Sequence, residues 1–230
     1  MRKPTIYLFD IDGTLLDGKG AGRRAMEAAF VEHVGTLDGL RRMGFAGMTD
    51  LAIVRAGLEH VGIEPEPSLI DTILDGYLAR LPDSIASTEG YGLCPGVEPL
   101  LDRLECVDGC AIGLGTGNLE RGAELKLRPV GIHHRFAFGG FGSDHEERAE
   151  LVRIGAQRGA DRLGLPLAEC RVVVIGDTPR DIDAACAIGA ECLAVATSFY
   201  TADVLREAGA TVVIADLTVD DGLRMLMGSS

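Results

Sequence analysis

Short, nearly continuous apolar runs recur along this chain, separated by stretches in which apolar residues return every three or four positions. The first run, Ile6 to Phe9, has the composition of a strand covered on both faces. Three helical patterns follow, Gly22 to Val34, Asp50 to Val61 and Ser68 to about Arg80. They are joined by GFAGMTD and by GIEPEPS, whose prolines break helices. Nothing up to about Gly92 alternates as a strand would, so this region reads as a helical insertion.

Pro95-Gly96 opens another helix, Val97 to Leu104, and from Cys110 onward strands and helices take turns. Strands are expected at Cys110 to Leu114, near Arg135 to Gly139, at Arg171 to Ile175, Glu191 to Ala196 and Val212 to Ile214. Helices are expected at Leu119 to Val130, Arg148 to Arg162 and Ile182 to Ile188. This rhythm predicts an α/β fold, a doubly wound parallel sheet. The expected core is residues 1–17 and 93–230, with the helical insertion at 18–92.

At 230 residues the chain suits one large domain, or one domain with an insertion. The formal charge of −13 argues against nucleic acid or an anionic membrane as partner. It leaves room for an anionic small molecule if a divalent cation sets the local field. No apolar run approaches the roughly 20 residues of a membrane span. MRKPTIYLFD enters a strand without the apolar segment of a signal peptide, so a cytoplasmic location is expected. The six cysteines form no CxxC pair and are expected to be buried thiols. The five histidines show no ligand spacing. Oligomeric state is left open.

Candidate chemistry lies where strands end. IYLFDIDGTLL places Asp10 and Asp12 at the carboxyl end of the first strand, where open α/β sheets bind ligands. Two neighbouring acids repel unless a cation or shared proton offsets them. The pair implies a metal, with one acid free to attack while the other moves protons. The alternative is an Asp-Gly turn with no chemistry. Gly115-Thr116-Gly117-Asn118 offers a hydroxyl and unobstructed N–H groups at a helix start, either an oxyanion site or a helix cap. VVVIGDTPRD ends a strand in Asp177 and places Asp181 four residues on; carboxylates there suit a hard cation, although Asp181 could simply cap a helix.

These strings resemble the motifs of the haloacid dehalogenase superfamily of aspartate-nucleophile hydrolases, whose first motif is DxDGT. The likeness covers nearly the whole chain and points to the phosphoglycolate phosphatase-like and β-phosphoglucomutase-like subgroup, with a Rossmann-like core and a helical cap between the first two motifs. It implies Asp10 as nucleophile, Asp12 as general acid and base, and Thr116 as a donor to the phosphoryl group. It implies a Mg²⁺ ion on Asp10, the Asp12 backbone carbonyl and Asp177, with Asp181 direct or through water. The chain departs from the superfamily's usual Lys-Pro at the cation motif; Arg148 stands in that register, and Lys126 is the rival.

The substrate implied is a small phosphate ester, met by Thr116, Gly117 and Asn118 and, from the insertion, by Thr49 and Asp50. Thr49 or Asp50 could equally cap the helix that begins near Leu51. A phosphomutase would use the same residues. A haloacid dehalogenase would need neither the metal nor Asp12, and a non-catalytic protein would not need the full set of acids. Phosphonate cleavage through a Schiff base is disfavoured, since residues 18–92 contain only Lys19.

Overall fold

The computed structural model describes residues 3–218; the end of the expected core, residues 219–230, lies outside the described residues. The chain runs through β1 (Thr5–Phe9) and a two-residue β2 (Leu16–Asp17) into four helices. These are α1 (Ala21–Val34), α2 (Asp38–Arg41), α3 (Asp50–His60) and α4 (Pro67–Ala86). β3 (Gly92–Leu93) pairs antiparallel with β2 and brings the chain back. Then come α5 (Val97–Glu105), β4 (Cys110–Thr116), α6 (Glu120–Leu127), β5 (Gly139–Phe141) and α7 (Arg148–Leu163). β6 (Arg171–Gly176), α8 (Pro179–Ala187), β7 (Glu191–Val195), α9 (Ala202–Glu207) and β8 (Val212–Ile214) complete the described part.

The six longer strands form one parallel sheet in the order β5-β4-β1-β6-β7-β8. The chain leaves β1, builds outward on one side through β4 and β5, then returns to build β6, β7 and β8 on the other. β1 is therefore the topological switch point, and the crevice at its carboxyl end is where such sheets bind ligands.

Alternation along β1 sends Tyr7 and Phe9 into one apolar cluster with α5 and α6, and Ile6 and Leu8 into another with α7 and α8. With both faces covered, β1 is buried throughout, as its unbroken apolar run predicts. The four helices α1 to α4 have a third cluster of their own, built around Phe30, Leu58, Ile73 and Tyr77. Among the described residues no helix is long and apolar enough to cross a membrane.

Several expected elements shift. The strand expected near Arg135 to Gly139 is instead β5, Gly139–Phe141, and His133–Arg135 forms a 3₁₀ turn. Glycine is a poor strand former, but α7 packs so closely that a Cβ at Gly140 would sit 1.7 Å from the Leu151 carbonyl oxygen. α6 stops at Leu127 because Pro129 cannot continue it, and α4 runs on through Pro82 to Ala86. α8 begins at Pro179, with Thr178 and Asp181 forming a reciprocal cap. The short α2, α9 and the β2–β3 ribbon carry too few residues for a periodic signal. Cys106 and Cys186 are exposed, against the expectation of uniformly buried thiols.

The contact at Gly140 yields a stability test. Gly140→Ala forces a methyl into a backbone carbonyl that cannot rotate away, so it should cost about 1–3 kcal/mol, the usual range for overpacking. Urea unfolding should show a lower midpoint at unchanged slope; an unchanged midpoint would mean that α7 does not approach the sheet this closely.

Candidate active site

Two neighbouring strand ends supply the three acids. Asp10 follows β1, and Asp177 and Asp181 follow β6, the latter in the first turn of α8. One carboxylate oxygen from each of the three lies within 4.8 Å of the others, and all three residues are buried. The backbone makes room for them. Gly13, at φ +87°, lies against Asp177, where a Cβ would fall 2.3 Å from the carboxylate, and a Cβ at Gly176 would fall 2.2 Å from Asp181 Cγ. Thr14 donates to Asp177 at 2.9 Å.

The charges in this crevice separate into two groups. Arg148, at the first position of α7 and only 9% exposed, donates through Nε (2.9 Å) and Nη2 (2.5 Å) to Asp181 Oδ1. Its Nη2 is also 3.1 Å from Asp10 Oδ1, and its Nη1 donates to the Gly47 carbonyl at 3.2 Å. Asp181 is fully engaged, because its Oδ2 accepts from the Thr178 N–H (3.0 Å) and hydroxyl (2.8 Å). Lys126 serves the other acid: its Nζ lies 2.6 Å from Asp12 Oδ2 and 2.6 Å from Asn118 Oδ1. Asn118 Nδ2 donates to Asp12 Oδ2 (2.9 Å) and to Thr116 Oγ1 (2.8 Å). Both candidate cations thus reach the crevice, Arg148 at Asp10 and Lys126 at Asp12.

Titration follows this division. Burial raises the Asp10 carboxyl to about 6 despite Arg148, and burial with Asp181 and Asp10 nearby raises Asp177 to about 8. Desolvation also acts on Asp12, but the Lys126 pair and its hydrogen bonds outweigh it and hold the carboxyl below the usual range. About half of the Asp12 side-chain surface stays open (49%). Lys126 is raised: burial alone would lower it, but the Asp12 and Asp50 carboxylates more than offset that.

The donor set fits a hard divalent cation. It consists of carboxylate oxygens alone, with too much negative charge for one guanidinium to neutralise. Ser198 Oγ is buried beside Asp177 and, with Thr14, favours its charged form. Ser198 gave no signal in the sequence, because its loop follows a strand with no acid or glycine motif.

The helical insertion meets the crevice through the loop from Ala46 to Asp50. Arg180 donates to the Ala46 carbonyl at 2.6 Å, and the Asp50 N–H donates to the Gly117 carbonyl at 2.9 Å. Asp50 Oδ2 accepts the Leu119 N–H at 2.9 Å; the carboxyl is raised to about 6 by burial. Thr49 caps α3 through Ala52 N and donates to the Glu146 carbonyl at 3.1 Å. A Cβ at Gly117 would fall 2.2 Å from the Met48 carbonyl oxygen, so the loop rests on bare backbone. The structure therefore gathers Asp10, Asp12, Thr116, Gly117, Asn118, Lys126, Arg148, Asp177 and Asp181 in one crevice, with Thr49 and Asp50 in the loop that covers it.

The raised acids make stability depend on pH. Unfolded carboxyls ionise near 3.8, whereas Asp10 and Asp50 do so at about 6 and Asp177 at about 8. Between these values the unfolded state has already released its protons, so stability falls as pH rises. Asp12 has the opposite sign, but its contribution is lost only below that window. The metal-free protein should lose melting temperature between about pH 4 and 8, and Asp177→Asn should flatten the loss. A scan in which the two proteins run parallel would exclude burial strain at Asp177.

A haloacid dehalogenase-like hydrolase family model matches residues 4–189. The chain is 32% identical over 208 residues to a phosphoglycolate phosphatase of Xanthomonas campestris pv. campestris, covering 88% of each. It is 29% identical over 231 residues to the tyrosine-protein kinase PtkA of Mycobacterium tuberculosis, covering 98% of this chain and 73% of that one. Among solved structures, CbbY from Rhodobacter sphaeroides, in complex with phosphate, superposes with a TM-score of 0.71 at 21% identity, covering 96% of this chain and 99% of that one. A β-phosphoglucomutase-type structure from Thermotoga maritima gives 0.62 at 21% identity, over 98% and 100%. With three buried acids at two adjacent strand ends, a parallel sheet in this order and matches of this extent, the chain belongs to the haloacid dehalogenase-like hydrolase family.

Proposed function

We propose that the chain is a Mg²⁺-dependent phosphatase that hydrolyses a small phosphate monoester through an aspartyl-phosphate on Asp10. The observation that carries this reading is the division of two aspartates in one turn. Asp10 lies among groups that bind phosphoryl oxygens, Arg148 and Thr116, whereas Asp12 is held away from them by Lys126 and Asn118. One acid is thus placed to attack phosphorus and the other to exchange protons with the alcohol. The relatives named phosphoglycolate phosphatases support a small anionic ester as substrate.

Asp10, the Asp12 carbonyl and Asp177 would hold the ion, with Asp181 anchoring Arg148 beside them. Bound there, Mg²⁺ supplies charge neutralisation to the phosphoryl oxygens. Asp10 attacks phosphorus, and the bond from phosphorus to the ester oxygen breaks with the electron pair moving to that oxygen, which takes the proton that the Asp12 carboxylate has collected from the bound phosphate monoanion. Asp12, now a carboxylate, then accepts a proton from the water that attacks the aspartyl-phosphate. Thr116 and the N–H groups near Gly117 and Asn118 bind phosphoryl oxygens, and Arg148 balances the charge. Residues 18–92 act as a cap. Thr49 and Asp50 set the height of its loop over Thr116 to Asn118, and so govern which alcohols fit beneath.

Asp10→Asn should abolish turnover of p-nitrophenyl phosphate while keeping the fold, and it should stabilise the metal-free protein by removing one repelling charge. Acid quenching of the wild type during turnover should trap phosphate on Asp10, identifiable by mass spectrometry of the peptide. Near-normal activity of the Asn variant would exclude the covalent route. Inorganic phosphate released in step with the alcohol separates a phosphatase from a mutase.

Mg²⁺ should support activity and Ca²⁺ should not, because Ca²⁺ takes longer bonds and more ligands than an in-line displacement tolerates. Full activity in excess chelator would remove the metal from the reaction. Arg148→Lys keeps a positive charge but cannot fork between Asp10, Asp181 and the Gly47 carbonyl; kcat should fall by about 10²-fold. An unimpaired Lys variant would show that charge alone suffices there.

A further inference from the structure

Building on the phosphatase reading, we propose that Lys126 is a positioning residue for the acid–base step. With Asn118 it ties Asp12 down by Oδ2, so that Oδ1 is the oxygen presented to the leaving group.

Three observations meet at this point. The first is a closed ring of hydrogen bonds. Lys126 Nζ donates to Asp12 Oδ2 and Asn118 Oδ1, both at 2.6 Å, and Asn118 Nδ2 donates back to Asp12 Oδ2 at 2.9 Å. Asn118 cannot turn over within it, because that would set Oδ1 against the Asp12 carboxylate, which only accepts, and Nδ2 against the ammonium, which only donates. The ring fixes one carboxylate oxygen of Asp12 and leaves the other free.

The second is the contrast in exposure. The Lys126 side chain is 6% exposed and Asp12 is 49% exposed. A desolvated ammonium must keep its acceptors, so Lys126 does not leave Asp12 to meet substrate. The open side of Asp12 faces Gly18, whose missing side chain leaves space between Asp12 Oδ1 and Tyr91; a Cβ there would lie 3.7 Å from each. The alcohol portion of a substrate fits in that space, against Oδ1.

The third is the involvement of the cap. Gly22 of α1 backs the ammonium so closely that a Cβ there would lie 3.1 Å from Nζ and 3.3 Å from Cε. Tyr91 donates its hydroxyl to the Lys126 carbonyl at 2.9 Å. Lys126 is thereby held between α6 and the cap, so the seating of the cap and the aim of Asp12 are mechanically linked. Lys126 is thus a poor candidate for the phosphate-binding cation, a role for which Arg148 beside Asp10 is better placed.

In the step concerned, the Asp12 carboxylate, paired with Lys126 through Oδ2, takes the proton of the bound phosphate monoanion on Oδ1 and passes it to the ester oxygen as the phosphorus–oxygen bond breaks. Its value depends on the alcohol. An alkoxide is a poor leaving group without a proton, whereas p-nitrophenolate departs nearly as well unprotonated. The test is therefore a series of phosphate monoesters from p-nitrophenyl through phenyl to ethyl phosphate, assayed with Mg²⁺ in wild type and Lys126→Met. If Lys126 aims Asp12, the ratio of kcat/KM for ethyl over p-nitrophenyl phosphate should fall by about tenfold or more in the variant. Asp12→Asn should show the same steepening, and the double variant should add little to it. Gly22→Ala changes neither partner and acts from the cap side; it should steepen the series in the same direction without lowering the melting temperature, and it decides the matter alone if Lys126→Met fails to fold. A parallel loss across the series, or no loss, overturns the positioning role while leaving the phosphatase reading intact. Absence of turnover of every ester by the wild type overturns both.

Discussion

Repulsion among buried carboxylates is the constraint on which the rest of this structure depends. Asp10, Asp177 and Asp181 present oxygens within 4.8 Å of one another at the ends of adjacent strands. Left to relax, such groups would move apart or take up protons. They do neither completely, because each is fixed by backbone that is fixed in turn. β1 and β6 are held in parallel register along their length, and the Thr178–Asp181 cap rigidifies the start of α8. Gly13 and Gly176 let the chain approach where any side chain would collide. The apolar clusters on both faces of the sheet supply the stability that offsets this strain.

The same economy of side chains shapes the contact with the helical insertion. Its loop touches the core through carbonyls and N–H groups, at Ala46, Gly47 and Asp50, more than through apolar side chains. Gly117 has no Cβ where Met48 crosses it, and Gly142 has none where Gly117 lies beneath. Such contacts are directional and individually weak. Arg148 takes part in both systems, since one guanidinium holds Asp181, approaches Asp10 and anchors the loop at Gly47. The state of the charge cluster and the position of the loop are therefore not independent.

Much of this was legible in the sequence, for identifiable reasons. Unbroken apolar runs ending in Asp or Gly announced β1 and β6, because a strand buried on both faces permits little else. The acids at their ends were visible because their spacing is short, two residues from Asp10 to Asp12 and four from Asp177 to Asp181. What sequence did not show was pairing over distance. Lys126 was legible as a candidate cation, but not as the partner of Asp12, 114 positions away. β5 escaped because its glycines serve the approach of α7 rather than strand propensity, and Ser198 escaped because its role depends on what lies opposite. Thr49 and Asp50 were legible as helix-start residues, but not as the residues that join the insertion to the core.

The two cations resolve a problem that the two aspartates pose. Neighbouring acids in one turn would share a single electrostatic environment unless something distinguished them. Here Arg148 enters from α7 on the Asp10 side and Lys126 from α6 on the Asp12 side. The helices flank β1 on opposite faces, so the sheet itself separates the two charges. One acid is raised by burial despite its arginine, and the other is held low and half open by its lysine. That difference cannot come from the DxD string, which presents two identical carboxylates. It comes from the doubly wound topology, which puts a different helix against each face of the strand that carries them.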